Sequence, residues 1–152
     1  PVSTLAALAM RAVVLGAGEG APVLAAIDAR MNEVYAANYV LTAGHGALLP
    51  VSTSVEQVLP PDAVPLPEYG DAWFGVGTGF GALGGVLQSR LPSGWRAVDA
   101  EALPHAADVV RLAHAALLRG EGVAPERLEP AYLRNQVALT LVEQQALRAS
   151  RS

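Results

Sequence analysis

The 152-residue chain has the length of one ordinary domain, long enough to bury a sizeable core. A formal net charge of −4 and a pI near 5.3 argue against a nucleic-acid module, which carries a clustered basic face. All ten basic residues are arginine and there is no cysteine, so lysine Schiff bases, P-loop lysines, thiolate chemistry and disulfides are excluded, a usage compatible with a cytoplasmic protein.

The chain starts at Pro1 without an initiator methionine, which reads as a processed or expressed piece of something longer, and its start lacks a signal-peptide pattern. Ser3 or Thr4 caps a short helix through about Ala12. Leu5 to Met10 is apolar on nearly every side, which predicts burial. Pro22 to Ala29 is an apolar run of one buried strand's length. Arg30-Met31-Asn32-Glu33 is a turn signal centred near Met31-Asn32, because asparagine tolerates the left-handed conformation that tight hairpins need. Val34 to Leu41 alternates and carries Tyr35 and Tyr39, and Ala47 to Thr53 supplies a third strand, completing an antiparallel meander. A helical turn from Ser54 to Leu59 ends at Pro60-Pro61, and Pro65 and Pro67 make the next stretch an extended loop.

Ala72 to Val76 reads as a buried strand, Gly77-Thr78-Gly79 as a tight turn, Phe80 to Arg90 as a helix despite Gly84 and Gly85, and Trp95 to Val98 as another strand. Val34 to Val55 and Ala72 to Ser89 are uncharged, but their turn residues and glycines exclude a membrane-spanning helix. Pro104 opens the clearest helix, Ala106 to Arg119, ended by Gly120. Ala106, Val109, Val110, Ala113 and Leu117 form its apolar face, which predicts burial. Residues 121–129 read as loop, Pro130 to Val137 as extended, and Leu139 to Ser152 as a weakly helical tail that frays. The order predicts one α/β domain over residues 1–152: a mixed sheet with an antiparallel meander, then β-α-β-α.

Three constellations bear on chemistry. Gly77, Gly79 and Ala82 form a G-x-G-x-x-A run between a strand and a helix, with Asp99 twenty positions beyond Gly79, so the pattern matches a dinucleotide fingerprint on paper. A close-packed glycine turn is the favoured alternative, because a nucleotide half-fold needs a third parallel strand after Asp99. His45, His105 and His114 share no metal-ligand spacing, His45 is expected exposed beside glycines, and His105 with Asp108 reads as a helix-start pair. No serine sits in a G-x-S-x-G elbow. Asp28, Arg30 and Glu33 surround the hairpin turn, next to Tyr35. They form either cross-strand ion pairs that fix the turn or a recognition loop for a partner.

Pro1-Val-Ser-Thr-Leu5, Val23 to Tyr35 (VLAAIDARMNEVY), Val76-Gly-Thr-Gly79 and Leu128 to Asn135 (LEPAYLRN) occur in the order and spacing of the TsaB (YeaZ) family. The chain resembles the second, C-terminal lobe of that family over nearly its whole length. The resemblance implies an actin-like, ribonuclease-H-like ATPase lobe without its first lobe. It implies a non-catalytic scaffold in the synthesis of N6-threonylcarbamoyladenosine in tRNA, partnered by TsaD and TsaE, with tRNA met only indirectly and no cofactor or metal. The first lobe, preceding Pro1, would supply the main helices that meet TsaD. Members have carried the labels glycoprotease and peptidase M22. Asp28, Arg30, Glu33, Tyr35, Tyr132 and Arg134 are the candidate partner-contact or structural residues. Asn32 stands where many members have glycine, and Leu139 to Gln145 replaces a basic tail with an aromatic. Hydrophobic residues make up 52% and charged ones 16% against about 25% in a typical domain, so the chain either buries its elements well or covers part of its surface with a partner, and a face that the first lobe would normally cover is expected to pair two copies.

Overall fold

A computed structural model describes residues 1–66, 73–90 and 94–134. A mixed six-stranded sheet runs β3-β2-β1-β5-β6, with β4 also paired to β2. Its strands are β1 Pro22–Arg30, β2 Glu33–Gly44, β3 Ala47–Ser52, β4 Gln57–Leu59, β5 Trp73–Val76 and β6 Trp95–Asp99. β2 is antiparallel to β1, β3 and β4, whereas β1–β5 and β5–β6 are parallel. The expected meander and the mixed sheet are both present.

Val23 to Ala26 is fully buried without alternation because both faces of β1 are covered. Val23 and Ala25 pack under α1 (Thr4–Ala9) with Leu5, Leu8, Tyr39 and Phe74. Leu24 and Ala26 pack on the other face with Val34, Phe80 and Leu87. Ser3 is the cap of α1: its Oγ accepts from the Ala6 amide at 3.2 Å. The helix tightens to 3-10 geometry over Met10–Leu15 and ends at left-handed Gly16, so the expected helix through Ala12 is α-helical only to Ala9.

Two further expectations are corrected. The segment from Ser54 to Leu59 is not a helical turn. Its second half is β4, because the stretch of β2 left free by β3 offers unpaired backbone at Val34, Tyr35 and Ala36, and Pro60 keeps Leu59 extended. Phe80 to Arg90 is not one helix. It comprises 3-10 turns at Thr78–Phe80 and Ala82–Gly84, then the four-residue α2 (Val86–Ser89), because Leu83, Gly84 and Gly85 all take positive φ.

Tyr39 is 2% exposed, and its hydroxyl donates to Glu56 Oε1 at 3.1 Å, while Ser3 Oγ also donates to that carboxylate. Burial first, then the Glu56 charge, push the Tyr39 phenol above its ordinary range. A raised folded-state pKa favours the neutral phenol. This contribution to stability is therefore intact below the ordinary tyrosine value of about 10 and is lost as the pH climbs beyond it. Urea titrations from neutral to about pH 11 are expected to show that decline, and Tyr39→Phe to flatten it.

α3 (Ala106–Leu118) departs most from expectation. Its buried residues are Asp108 and Ala115, while Val110 and Leu117 are about two-thirds exposed, at 66% and 67%. Asp108 and His105 do meet at the helix start, the Asp108 amide donating to the His105 carbonyl at 3.0 Å, but the Asp108 carboxylate turns elsewhere. It is clamped between Arg11 Nη1 at 3.5 Å and Arg111 Nη1 at 2.6 Å, and this polar clamp turns the apolar stripe outward.

Candidate functional site

The site is built on the β1–β2 turn. Arg30, Met31 and Asn32 have φ of 62°, 55° and 63°, three successive left-handed residues without a glycine. The register slips at Ala29, so Arg30 pairs with Glu33 and Met31-Asn32 is a two-residue loop. Positive φ at both loop positions is the type I′ signature, whose twist matches the strands. Asp28 Oδ1 accepts from the Arg30 amide at 2.8 Å and holds the slip in place. Asn32→Gly is accordingly expected to be neutral or mildly stabilising, and Asn32→Val to cost about 1–2 kcal/mol in urea unfolding. Equal stability of the two variants would contradict the left-handed conformation.

The strand period of two sends Glu33 and Tyr35 to one face of the hairpin and Asp28 to the other. Arg134 grips the first face. Its Nη2 donates to Glu33 Oε2 at 2.6 Å, its Nη1 donates to the Ala29 carbonyl at 2.9 Å, and its guanidinium lies 5.8 Å from the Tyr35 ring centroid. The Arg134 side chain is 14% exposed and that of Glu33 31%, so water screens the pair only in part. Thr78 grips the second face, its Oγ1 accepting from the Asp28 amide at 3.1 Å. The two longest motifs of the sequence thus meet through residues 101 positions apart.

This arrangement corrects the expected cross-strand set. Glu33 pairs with Arg134 rather than Arg30, whose side chain is 86% exposed and, among the described residues, meets only Asp28, at 3.4 Å. The fork of Arg134 reaches a carboxylate and a carbonyl together, whereas Arg30 sits where the turn throws its side chain into solvent. Tyr132 is 77% exposed and takes no part in the grip on Arg134. Sequence reasoning missed Thr78 and the Asp108 clamp; both depend on partners distant in sequence, and neither residue type signals its partner.

The dinucleotide-like run is a packing device. An added Cβ at Gly77 would lie 2.3 Å from the Ala26 carbonyl oxygen, and one at Gly79 would lie 2.7 Å from Ala26 Cβ. Asp99 is engaged locally: its Oδ1 accepts from the Glu101 amide at 3.0 Å while its carbonyl accepts from the Gly77 amide at 2.9 Å. His45 is exposed, at φ 50°. Among the described residues no group of three or more His, Cys, Asp or Glu side chains could hold a metal ion. No helix among them is long and apolar enough to cross a membrane.

The tRNA threonylcarbamoyladenosine biosynthesis protein TsaB of Haemophilus influenzae is 34% identical over 141 residues, 90% of this chain and 57% of that protein. Its namesake from Escherichia coli is 39% identical over 122 residues, 76% of this chain and 49% of that one. The solved structure of YeaZ from Pseudomonas aeruginosa aligns with a TM-score of 0.72 at 44% identity, covering 86% of this chain and 58% of that one. A second structure, described as similar to peptidase YeaZ from Pseudomonas aeruginosa, aligns at 0.68 and 44%, covering 88% and 57%. The chain spans about half the length of the curated relatives it matches. No protein-family model matches it. With the mixed sheet matching these structures and the hairpin and Arg134 motifs locked together within it, the chain belongs to the TsaB/YeaZ family.

Proposed function

We propose that the protein carrying this chain is a non-catalytic scaffold in the formation of N6-threonylcarbamoyladenosine in tRNA. The observation that carries this reading is the 34–39% identity to two proteins named for that biosynthesis. The hairpin geometry supports a structural role, because Glu33 and Arg134 are spent on one another and Asp28 on its own turn. In this reading the chain is the second lobe of a two-lobe protein that works in the cytoplasm with TsaD and TsaE and meets tRNA only through them. Helices of the first lobe carry the main contact to TsaD. The glycine turn takes no nucleotide, since its glycines are packed against β1.

The test is depletion of the protein in its own cell, with threonylcarbamoyladenosine in bulk tRNA read by mass spectrometry. The modification is expected to fall and to return with the intact gene; an unchanged level overturns the reading. The division of labour between lobes has a separate test. This chain mixed with TsaD, TsaE, tRNA and the threonylcarbamoyl donor is expected to yield little modified adenosine, and full activity would place the working surface on this lobe. Peptide or ATP turnover by the chain, abolished by a point substitution in it, would contradict the non-catalytic assignment.

A further inference from the structure

The chain has no cysteine and two methionines, so an oxidant of sulfur has two possible targets in it. Met10 is 6% exposed in the core, whereas Met31 is 67% exposed at the tip of the β1–β2 turn. A two-electron oxidant therefore meets one accessible sulfur, since susceptibility follows exposure. Backbone preference does not account for a methionine there: Met31 has φ 55°, a left-handed conformation that an ordinary side chain adopts at a cost. Its thioether does have a partner. Arg134 Nη1 carries two hydrogens; it donates to the Ala29 carbonyl at 2.9 Å and to Met31 Sδ at 3.8 Å.

A thioether is a weak acceptor, so this contact contributes little as it stands. Oxidation changes that. Hydrogen peroxide transfers one oxygen atom to the sulfur: the peroxide O–O bond breaks, an S–O bond forms, the sulfur loses two electrons and the peroxide leaves as water. The product carries a polar oxygen one bond out from the sulfur. From a sulfur 3.8 Å from Nη1, that oxygen comes within the ~2.9 Å of an ordinary N–H···O bond and accepts from a charged donor. The bonds to the Ala29 carbonyl and to Glu33 use other hydrogens of the same fork and are kept. A sulfoxide formed in a core disrupts apolar packing. Met31 lies outside the core and faces a cation, so the sign of the effect is reversed.

We propose that Met31 is a modification site, oxidised reversibly by peroxide to its sulfoxide, and that the sulfoxide tightens the grip of Arg134 on the β1–β2 turn. Brief treatment with dilute hydrogen peroxide, followed by peptide mass mapping, is expected to add one oxygen at Met31 well before Met10. The oxidised protein is expected to unfold at a higher urea concentration than the reduced one. Amide exchange at Arg30 to Glu33 is expected to slow by roughly threefold to tenfold. Methionine sulfoxide reductase should return both readings to their starting values. Arg134→Ala is expected to erase the gain on oxidation, which a merely more polar turn residue would keep. Met31→Gln places a carbonyl oxygen near the sulfoxide's position and needs no oxidant; its urea midpoint is expected to exceed that of Met31→Leu. The proposal is overturned if Met10 is oxidised as fast as Met31, if the oxidised wild type resists urea no better than the reduced, if the gain survives in Arg134→Ala, or if Met31→Gln is no more stable than Met31→Leu.

Discussion

Gly77→Ala is expected to cost about 3–5 kcal/mol, enough to unfold a domain of ordinary stability or nearly so. Two penalties combine. Gly77 sits at φ 110° and ψ 167°, a region reached essentially by glycine alone, where a side chain costs about 1–3 kcal/mol. Its added Cβ would also lie 2.3 Å from the Ala26 carbonyl oxygen and 2.5 Å from Leu8 Cδ2, and the carbonyl cannot yield without shifting β1 in the centre of the sheet. Gly79→Ala separates the two penalties. Gly79 has no positive φ, but its Cβ would meet Ala26 Cβ at 2.7 Å, so only overpacking remains, about 1–3 kcal/mol. Urea unfolding of both variants reads the difference; equal costs would show that the backbone region at Gly77 adds nothing. The Gly79 variant, once folded, should bind its partners as the wild type does.

Arg134→Ala is expected to lower stability by about 2 kcal/mol, below the ~3–5 of a fully buried broken pair because Glu33 remains 31% exposed. It removes the bond to Glu33, the bond to the Ala29 carbonyl and the contact with Tyr35 together. Arg134→Lys should recover little, since an ammonium cannot reach a carboxylate and a carbonyl in one plane. A double-mutant cycle with Glu33→Ala is expected to show coupling of about 1–2 kcal/mol. Amide exchange at Arg30 to Glu33 should quicken in Arg134→Ala, because the grip holds three left-handed residues that have no glycine among them. A stability within about 0.5 kcal/mol of wild type would show that the 128–134 segment rests on the hairpin without holding it.

Local chemistry in the sequence determined much of this protein. The alternation of β2, the left-handed tolerance of Asn32 between two apolar runs, the strand before Gly77 and the helix after Pro104 are all present where their residues predict them. Each depends on backbone preferences and side-chain periods that act within a few residues. The likeness of Val23 to Tyr35 and of Leu128 to Asn135 to one family was legible in the same way, as strings. Tertiary structure decided the rest. β4 exists because β2 outruns β3 and leaves backbone groups to be paired, a fact about the sheet rather than about Gln57 to Leu59. The Phe80–Arg90 stretch breaks where Leu83, Gly84 and Gly85 turn left-handed, with Leu83 lying beside Met31 and Asn32 of the β1–β2 turn. The pattern of α3 specifies an apolar stripe but not which way it points. That was decided by Asp108, which is stable in the interior only with Arg11 and Arg111 on either side, and so turned Val110 and Leu117 to the surface. The choice of Arg134 over Arg30 as the partner of Glu33 has the same origin: adjacency in the chain favoured Arg30, but only the folded hairpin presents a carboxylate, a carbonyl and an aromatic face to one guanidinium.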